Sequence, residues 1–390
     1  MIYFGIDIGK FNHQAIAIDE KGNSLCVSFP FSNTDEGFKL FIKSAITFME
    51  KDTICIGMEA TGHYWLNLYF ALLDLGMELH VVNPIQTDAM RKMSIRKTKT
   101  DSVDCKYIAQ VIRIGNFSDV VIGDEDVSEL RQLCRYRFHL VDTIGAVKNQ
   151  IIGLLDRVFP EFSSLFSNVF GVTSMEILKK YTTPEQILAV KTSTLVNLLA
   201  KASRGRFKDA KAKEIKEAAK FSVGLKSANA SFVFQLRQMI MQIDFSETQL
   251  KELEQKISEY YNKCECFLST IDGIGDTLGA VIFSEIADIS RFDNPKKLVA
   301  FAGIDPTVKQ SGNFIGTHNT MSKRGSVYLR RAIWTAAVVA AQKNPVLSEF
   351  YQKKRAEGKD YMTSIGAVSR KLCYIIFAVL RDKKTYIPIA

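Results

Sequence analysis

The sequence predicts an α/β domain built on a mixed sheet, then a long helical region with a coiled-coil seam, then a mainly helical C-terminal domain. Three observations predict this order. Short β-rich runs alternate with helix signals over residues 1–115, the apolar period becomes helical from Ser128 to Tyr261, and the composition shifts again around Cys264, where a glycine turn opens a further set of helices. The expected domains are 1–127, 128–262 and 263–390. A chain of 390 residues, 47% hydrophobic and 24% charged, has ordinary globular composition and excludes disordered and collagen-like classes.

In the first domain, Ile2 to Ile8, His13 to Asp19 and Ser24 to Phe29 read as strands, the last two joined by a Glu20-Lys21-Gly22-Asn23 turn. Asn33 and Glu36 resemble a capping box for a helix to Met49. A strand Thr53 to Glu59, a helix His63 to Leu75 and a strand Met77 to Asn83, stopped by Pro84, follow. Three antiparallel strands followed by helix-linked parallel strands are the ribonuclease H-like arrangement, shared with sugar-kinase/actin ATPases. In the middle region Leu236, Met239, Ile243, Leu250, Leu253, Ile257 and Tyr260 recur at three- and four-residue steps, with Ser246 at the polar seam position. That heptad fits either a helix pair within the chain or a dimer seam. Lys201 to Lys220, with three acids, is either a solvated helix face or a polyanion contact. Further on, Ile271-Asp272-Gly273-Ile274-Gly275 before an apolar helix resembles a helix-hairpin-helix, whose turn offers backbone N–H groups to phosphate. Helices Val327 to Ala341 and Ser364 to Leu380 close the chain.

No run approaches the ~20 uninterrupted apolar residues of a membrane span. Met1 to Gly5 starts directly in a strand without a basic n-region, so a cytoplasmic protein with no membrane partner is expected. The seven cysteines lack metal-ligand spacing and read as reduced core residues. Net charge is +9, but unevenly distributed: residues 1–100 carry 10 basic and 11 acidic groups, residues 291–390 carry 18 and 6. A concentrated basic field attracts polyanions, nucleic acid foremost.

Candidate chemistry lies in two places. Asp7 follows Gly5 on one face of the first strand, and Glu59 follows Gly57 on one face of the fourth, so neighbouring strands set the two acids side by side. Asp101, Asp104, Ile108 and Val111 form one helical stripe, placing two more carboxylates on a core-facing side. Four carboxylates there suit two Mg²⁺ ions about 4 Å apart, which activate a nucleophile and stabilise a leaving phosphodiester oxygen. The bland alternative makes Asp101 an N-cap and Asp104 a first-turn acid. Lys97 and Lys99 beside them are candidate phosphate contacts. The second place is the loop from Gly303 to Arg331, where Ser311-Gly312 presents a hydroxyl among Lys309, Lys323, Arg324, Arg330 and Arg331.

Taken in order, Gly5 to Lys10, Gly57 to Gly62, Asn83-Pro84, Lys97 to Asp104, Ile271 to Gly275, Gln310-Ser311-Gly312 and Ser322 to Gly325 resemble the DEDD transposases of bacterial insertion sequences, the IS110 family, relatives of Piv-type DNA invertases. The resemblance covers nearly the whole chain. It implies a RuvC-like domain with Asp7, Glu59, Asp101 and Asp104 as a metal-binding tetrad for Mg²⁺, or Mn²⁺. It also implies a transposase domain in which Ser311 forms a covalent phosphoserine with DNA. Lys97, Lys99, Gly273, Gly275, Lys309, Lys323, Arg324, Arg330 and Arg331 are the expected nucleic-acid contacts. A structured non-coding bridge RNA, pairing with donor and target DNA, is the implied guide. A dimer or tetramer sharing acids and serine between protomers is the implied assembly, nucleoid-associated when acting. Rival classes are a Piv-like invertase, a junction-resolving nuclease using the acids alone, an ATPase, whose phosphate loop requires a hydroxyl where Lys10-Phe11-Asn12 stands, and a binding protein without chemistry.

Overall fold

The computed structural model describes the chain except residues 51, 61, 94–99, 116, 118–124, 226–228, 308–309, 312–313, 316–319 and 389–390, with backbone only at 229, 310–311 and 314–315. It divides into two compact units, Met1–Ile122 and Gly123–Ala390. The first contains β1 (Ile2–Asp7), β2 (Asn12–Ile18), β3 (Phe29–Ser32), α1 (Asp35–Met49), β4 (Ile54–Glu59), α2 (Trp65–Leu73), β5 (Glu78–Val82), α3 (Pro84–Met93) and α4 (Asp101–Ile114). Its sheet runs β3-β2-β1-β4-β5, antiparallel through the first three strands and parallel among β1, β4 and β5. This is the mixed sheet expected.

Two boundaries differ, each for a local reason. The turn after β2 forms, with Gly22 at φ 86° and Asn23 N–H bonded to Asp19, but Ser24 makes only an isolated bridge to Ile18. Pairing resumes at Phe29, where β3 aligns with Ala15. The cap of α1 is Thr34, whose hydroxyl accepts from Gly37 N–H at 3.2 Å; the Asn33 amide instead donates to the Lys10 carbonyl.

One face of this sheet packs on α1 and α2 through Phe4, Phe41, Ile56, Met58, Leu68 and Leu72. The other receives α4. A Cβ at Gly5 would stand 2.0 Å from the Cys105 carbonyl oxygen, and one at Gly57 would stand 2.7 Å from Ile112 Cγ2. The two glycines therefore set how closely α4 lies on the sheet.

The second unit opens with α5 (Glu125–Val158), followed by α6 (Val172–Lys180), α7 (Pro184–Ala189), α8 (Thr192–Ala202), α9 (Asp209–Lys220) and α10 (Asn229–Tyr261). It continues with α11 (Asp276–Ile286), α12 (Pro295–Phe301), β6 (Gln310–Ser311), β7 (Phe314–Ile315), α13 (Val327–Lys343), α14 (Pro345–Ala356) and α15 (Tyr361–Asp382). The long helices α5 and α10 run antiparallel, with Arg137 paired to Glu254 and Lys148 to Glu247. Leu253, Ile257 and Tyr261 enter one core with Leu130, Cys134 and Phe138, while Leu236, Ile240 and Ile243 enter a second with Val147, Ile151 and Leu154. The apolar seam of α10 is thus filled within the chain. Met239 and Tyr260, which a strict heptad places on the seam, are partly buried against these cores, and their neighbours Ile240 and Tyr261 are buried more fully, because a straight helix turns every 3.6 residues.

The middle and C-terminal regions share α5 and α10, so the contacts join 123–390 as one unit with two cores. The basic stretch 201–220 spans the end of α8 and all of α9; within it Lys216 donates to the Val190 carbonyl and Lys211 pairs with Glu214. Among the described residues α15 has the length and hydropathy of a membrane span. Its Ile365, Val368, Leu372, Ile376 and Phe377 are nevertheless in the core.

Gly5→Ala is expected to destabilise the first unit by about 3 kcal/mol or more, because its new methyl meets backbone. Gly145→Ala, in open space on α5, is expected to stabilise by up to about 1 kcal/mol. Denaturant unfolding of both variants checks the contrast.

Candidate functional site

Asp7 ends β1 and Glu59 ends β4, and the parallel register that pairs Gly5 with Gly57 and Ile6 with Met58 carries them to adjacent strand ends. The helix α4 supplies the other two acids. Thr100 occupies its N-cap with extended backbone, so Asp101 is the first helical residue and not the cap. Asp101 is exposed, whereas Asp104, Ile108 and Val111 are buried along the stripe that meets the sheet. The same glycine faces that admit α4 therefore bring its first turn to the ends of β1 and β4.

Electrostatics register the convergence. Burial pushes the Asp7 carboxyl up from 3.8 to about 6, reinforced in order by the charges of Asp104, Asp101 and Glu59. Each of the other three acids thus contributes to the shift at Asp7. Beside them the buried Cys105 thiol is pushed up to about 12 by burial and then by Asp7, which makes it a packing residue and not a nucleophile.

Two residues that the sequence pattern did not single out complete the group. Thr87, buried on α3, donates to Glu59 at 2.6 Å, and Arg91, one turn later, donates to Asp104 at 3.0 Å. Arg91 also pairs with Asp88 on its own helix. Pro84, which in the sequence signals the end of a strand, is also the first residue of the helix that presents both side chains.

The donor set is all oxygen, hard and anionic, which suits a divalent cation of the magnesium class. A carboxyl with a raised pKa among crowded acids, as Asp7 is here, is the electrostatic counterpart of such a site. Among the described residues no three of these carboxylates come within 4.8 Å of one another.

In the second unit the loop from Gly303 to Gly325 is a stem with a hairpin. Thr307 N–H bonds the Thr320 carbonyl at 2.7 Å, Pro306 bridges Met321, and Ser322 N–H bonds the Asp305 carbonyl at 2.9 Å. Gly303, at φ 66°, and Gly325 close the base: a Cβ at Gly325 would stand 1.7 Å from the Phe301 carbonyl oxygen. Beyond the stem, Ser311 pairs with Phe314 and Gln310 with Ile315. Ser311 is therefore held in a short antiparallel hairpin.

The expected cations around it differ in availability. Lys323 and Arg324 are exposed beside the stem. Arg330 donates to the Ala302 carbonyl at 3.3 Å, and Arg331 forms a bidentate pair with Asp142 at 2.7 and 2.8 Å while lying over the Phe138 ring. Those two cations already serve the fold. Lys97, Lys99 and Lys309 lie outside the described residues. In the glycine turn before α11, Gly275 is an exposed N-cap, while Gly273, at φ 99°, sits where a Cβ would meet the Ala336 carbonyl at 2.7 Å. The first glycine is thus required by packing on α13, and the second leaves the helix start open.

Comparison with known proteins finds family similarity in both the first and the last part of the chain. Residues 4–160 match the DEDD IS110 transposase family model, described as a transposase, and residues 266–352 match one described as transposase of the IS116/IS110/IS902 family. Over 399 residues the chain is 25% identical to an uncharacterized 44.8 kDa protein of insertion element IS116 from Streptomyces clavuligerus, covering 99% of this chain and 96% of the relative. It is 24% identical over 386 residues to the pilin gene-inverting protein of Moraxella bovis, covering 98% and 97%. The transposase for insertion sequence element IS1111A of Coxiella burnetii is 22% identical over 393 residues, covering 98% and 90%.

A carboxyl whose folded pKa is raised stabilises the fold only while protonated, and that stability disappears as pH rises through the folded value. Asp7→Asn is therefore expected to be more stable than wild type above pH 6 in metal-free buffer. The gain should be about 1–2 kcal/mol after screening is allowed for, and should close below about pH 4. Urea unfolding across that range is the measurement.

Proposed function

The chain belongs to the IS110 family of insertion-sequence transposases, and from that premise we propose a metal-dependent DNA recombinase whose acids are Asp7, Glu59, Asp101 and Asp104 and whose nucleophile is Ser311. Transposase and recombinase activity on DNA follows from the family. The residue roles rest chiefly on one observation, the four carboxylates whose charges meet at Asp7. The strand order β3-β2-β1-β4-β5 with acids at the ends of β1 and β4 supports reading the first unit as ribonuclease H-like, of the RuvC type.

Asp7 and Glu59, with Asp104 and Asp101 opposite, are the residues to hold Mg²⁺, or Mn²⁺ in its place. Bound there, the cation supplies charge stabilisation for a phosphodiester in transfer. Thr87 and Arg91 keep Glu59 and Asp104 oriented. The Ser311 oxygen, giving up its proton, attacks phosphorus, the departing strand oxygen takes up a proton as its P–O bond breaks, and the phosphoserine ester conserves the energy of that bond, so rejoining needs no nucleotide cofactor. Lys323 and Arg324 are the exposed cations available for backbone phosphate, and the open helix start at Gly275 offers backbone N–H groups.

We extend the proposal to guidance and assembly. A structured bridge RNA supplies sequence by base pairing, and the net positive C-terminal region supplies the polyanion surface. Protomers pair so that acids and serine from different chains meet. Since α5 fills the inner seam of α10, the pairing face is the outer one, where Phe234, Met241 and Phe245 are each 64% exposed at heptad-compatible spacing. A second reading, a site-specific DNA invertase, is favoured by the end-to-end similarity to the pilin gene-inverting proteins. It uses the same residues on a different DNA context.

Replacing Phe234, Met241 and Phe245 together by lysine is expected to lower the oligomeric mass seen by light scattering without changing helical content. An unchanged mass places the pairing face elsewhere. Protein mixed with element RNA, Mg²⁺ and junction-plus-target DNA is expected to yield a protein–DNA adduct on a denaturing gel. Ser311→Ala and Asp7→Ala should each reduce it by at least about 100-fold, and RNA omission should remove target dependence. DNA cutting that survives Ser311→Ala but needs Asp7 means that the acids activate water and the serine is a turn residue.

A further inference from the structure

We propose a second cation site in the first unit, of the zinc class, formed by Cys55, Glu78 and His80. Cys55 on β4 is register-paired with Glu78 on the edge strand β5, and His80 is two residues further along the same face. One donor atom from each residue lies within 4.8 Å of the other two. The His80 Nε2 stands 3.3 Å from Glu78 Oε1. The thiol is 4% exposed among Val82, Val111 and Ile112, while Glu78 faces solvent, so the site is walled on one side and open on the other. Phe117 closes over the His80 ring at 5.0 Å, edge to face, and restricts its orientation.

The donor chemistry separates this site from the acids. Magnesium takes oxygen ligands, whereas a thiolate, an imidazole and a carboxylate together suit Zn²⁺ in tetrahedral geometry, with a fourth position for water. Cys55 and Glu59 share a strand face four residues apart, about 13 Å along β4, too far for one ion to be shared. On binding, the Cys55 thiol loses its proton to solvent and the Cys55 sulfur and His80 nitrogen close on the ion, tying β5 to β4. The edge strand would then be fastened at the end opposite the acids, and the sheet could be stabilised by one metal while another serves Asp7 and Glu59.

The test uses the full chain, stripped with a chelator and then exposed to Zn²⁺ alone, with Co²⁺ as the spectroscopic probe. Wild type and Asp7→Asn are both expected to retain one Zn²⁺ per chain after desalting. Bound Co²⁺ should show a thiolate-to-metal charge-transfer band that disappears in Cys55→Ser. Loss of an outer partner of a ligand weakens metal sites by about 10–100-fold, so loss of a ligand in Cys55→Ser or His80→Gln should cost at least about 100-fold. Glu78→Gln, at an exposed position, is the variant that keeps the fold, and with a wild-type circular dichroism spectrum it must also weaken Zn²⁺. No retained zinc, a cobalt band unchanged in Cys55→Ser, or zinc lost in Asp7→Asn but kept in Cys55→Ser overturns the proposal.

Discussion

The close seating of α4 on the sheet is the constraint on which the candidate site depends. Without side chains at Gly5 and Gly57, the helix reaches Cys105 and Ile112 to backbone distance, and its first turn arrives at the ends of β1 and β4. A methyl group at either glycine would lift the helix and separate Asp104 from Asp7. Hydrophobic burial of Ile108, Val111 and Ile112 thus carries an unfavourable cluster of carboxylates into a half-buried setting. The raised Asp7 pKa is the record of that opposition. Arg91 and Thr87 hold Asp104 and Glu59 by hydrogen bonds, and a divalent cation bound there would relieve the remaining repulsion.

The second unit solves a different problem, holding a serine hairpin on helices. Glu285, 4% exposed on α11, takes two hydrogen bonds from Arg135 of α5 and one from Ser326, the N-cap of α13. Ser326 follows Gly325, which closes the hairpin stem against the Phe301 carbonyl. One buried carboxylate therefore connects the long helix, the glycine-turn helix and the foot of the loop that carries Ser311. Arg331 and Asp142 repeat the connection at the surface. Arg330 and Arg331, expected on nucleic acid, are engaged in this scaffold, while Lys323 and Arg324 are exposed beside the stem.

What was legible in the residues followed strict periodicity. The glycine two residues before each strand acid is a pattern of period two that holds in the strand register, and the period-3.6 stripe holds for Asp104, Ile108 and Val111, which are buried, while Asp101 at its start is exposed. Features set by competition or by distance were not legible. The cap of α1 fell to Thr34 because the Asn33 amide is used by Lys10, and β3 began late because one bridge at Ser24 does not sustain a strand. The pairing of Arg331 with Asp142 spans 189 positions, and no local pattern encodes it. The same holds for Cys55, whose companions Glu78 and His80 come from another strand, so spacing along the chain shows no ligand set. The heptad pattern on α10 is silent on what covers its apolar face, which in the structure is α5.

Diffraction from crystals grown with Mn²⁺, with data collected for its anomalous signal, is the decisive test of metal binding at these acids. Anomalous density is expected within coordination distance of both Asp7 and Glu59, with further density toward Asp104, and is expected to be lost in Asp7→Asn. Well-ordered crystals with no anomalous density near Asp7 would contradict it, and would leave the four carboxylates as a structural cluster balanced by Arg91 alone.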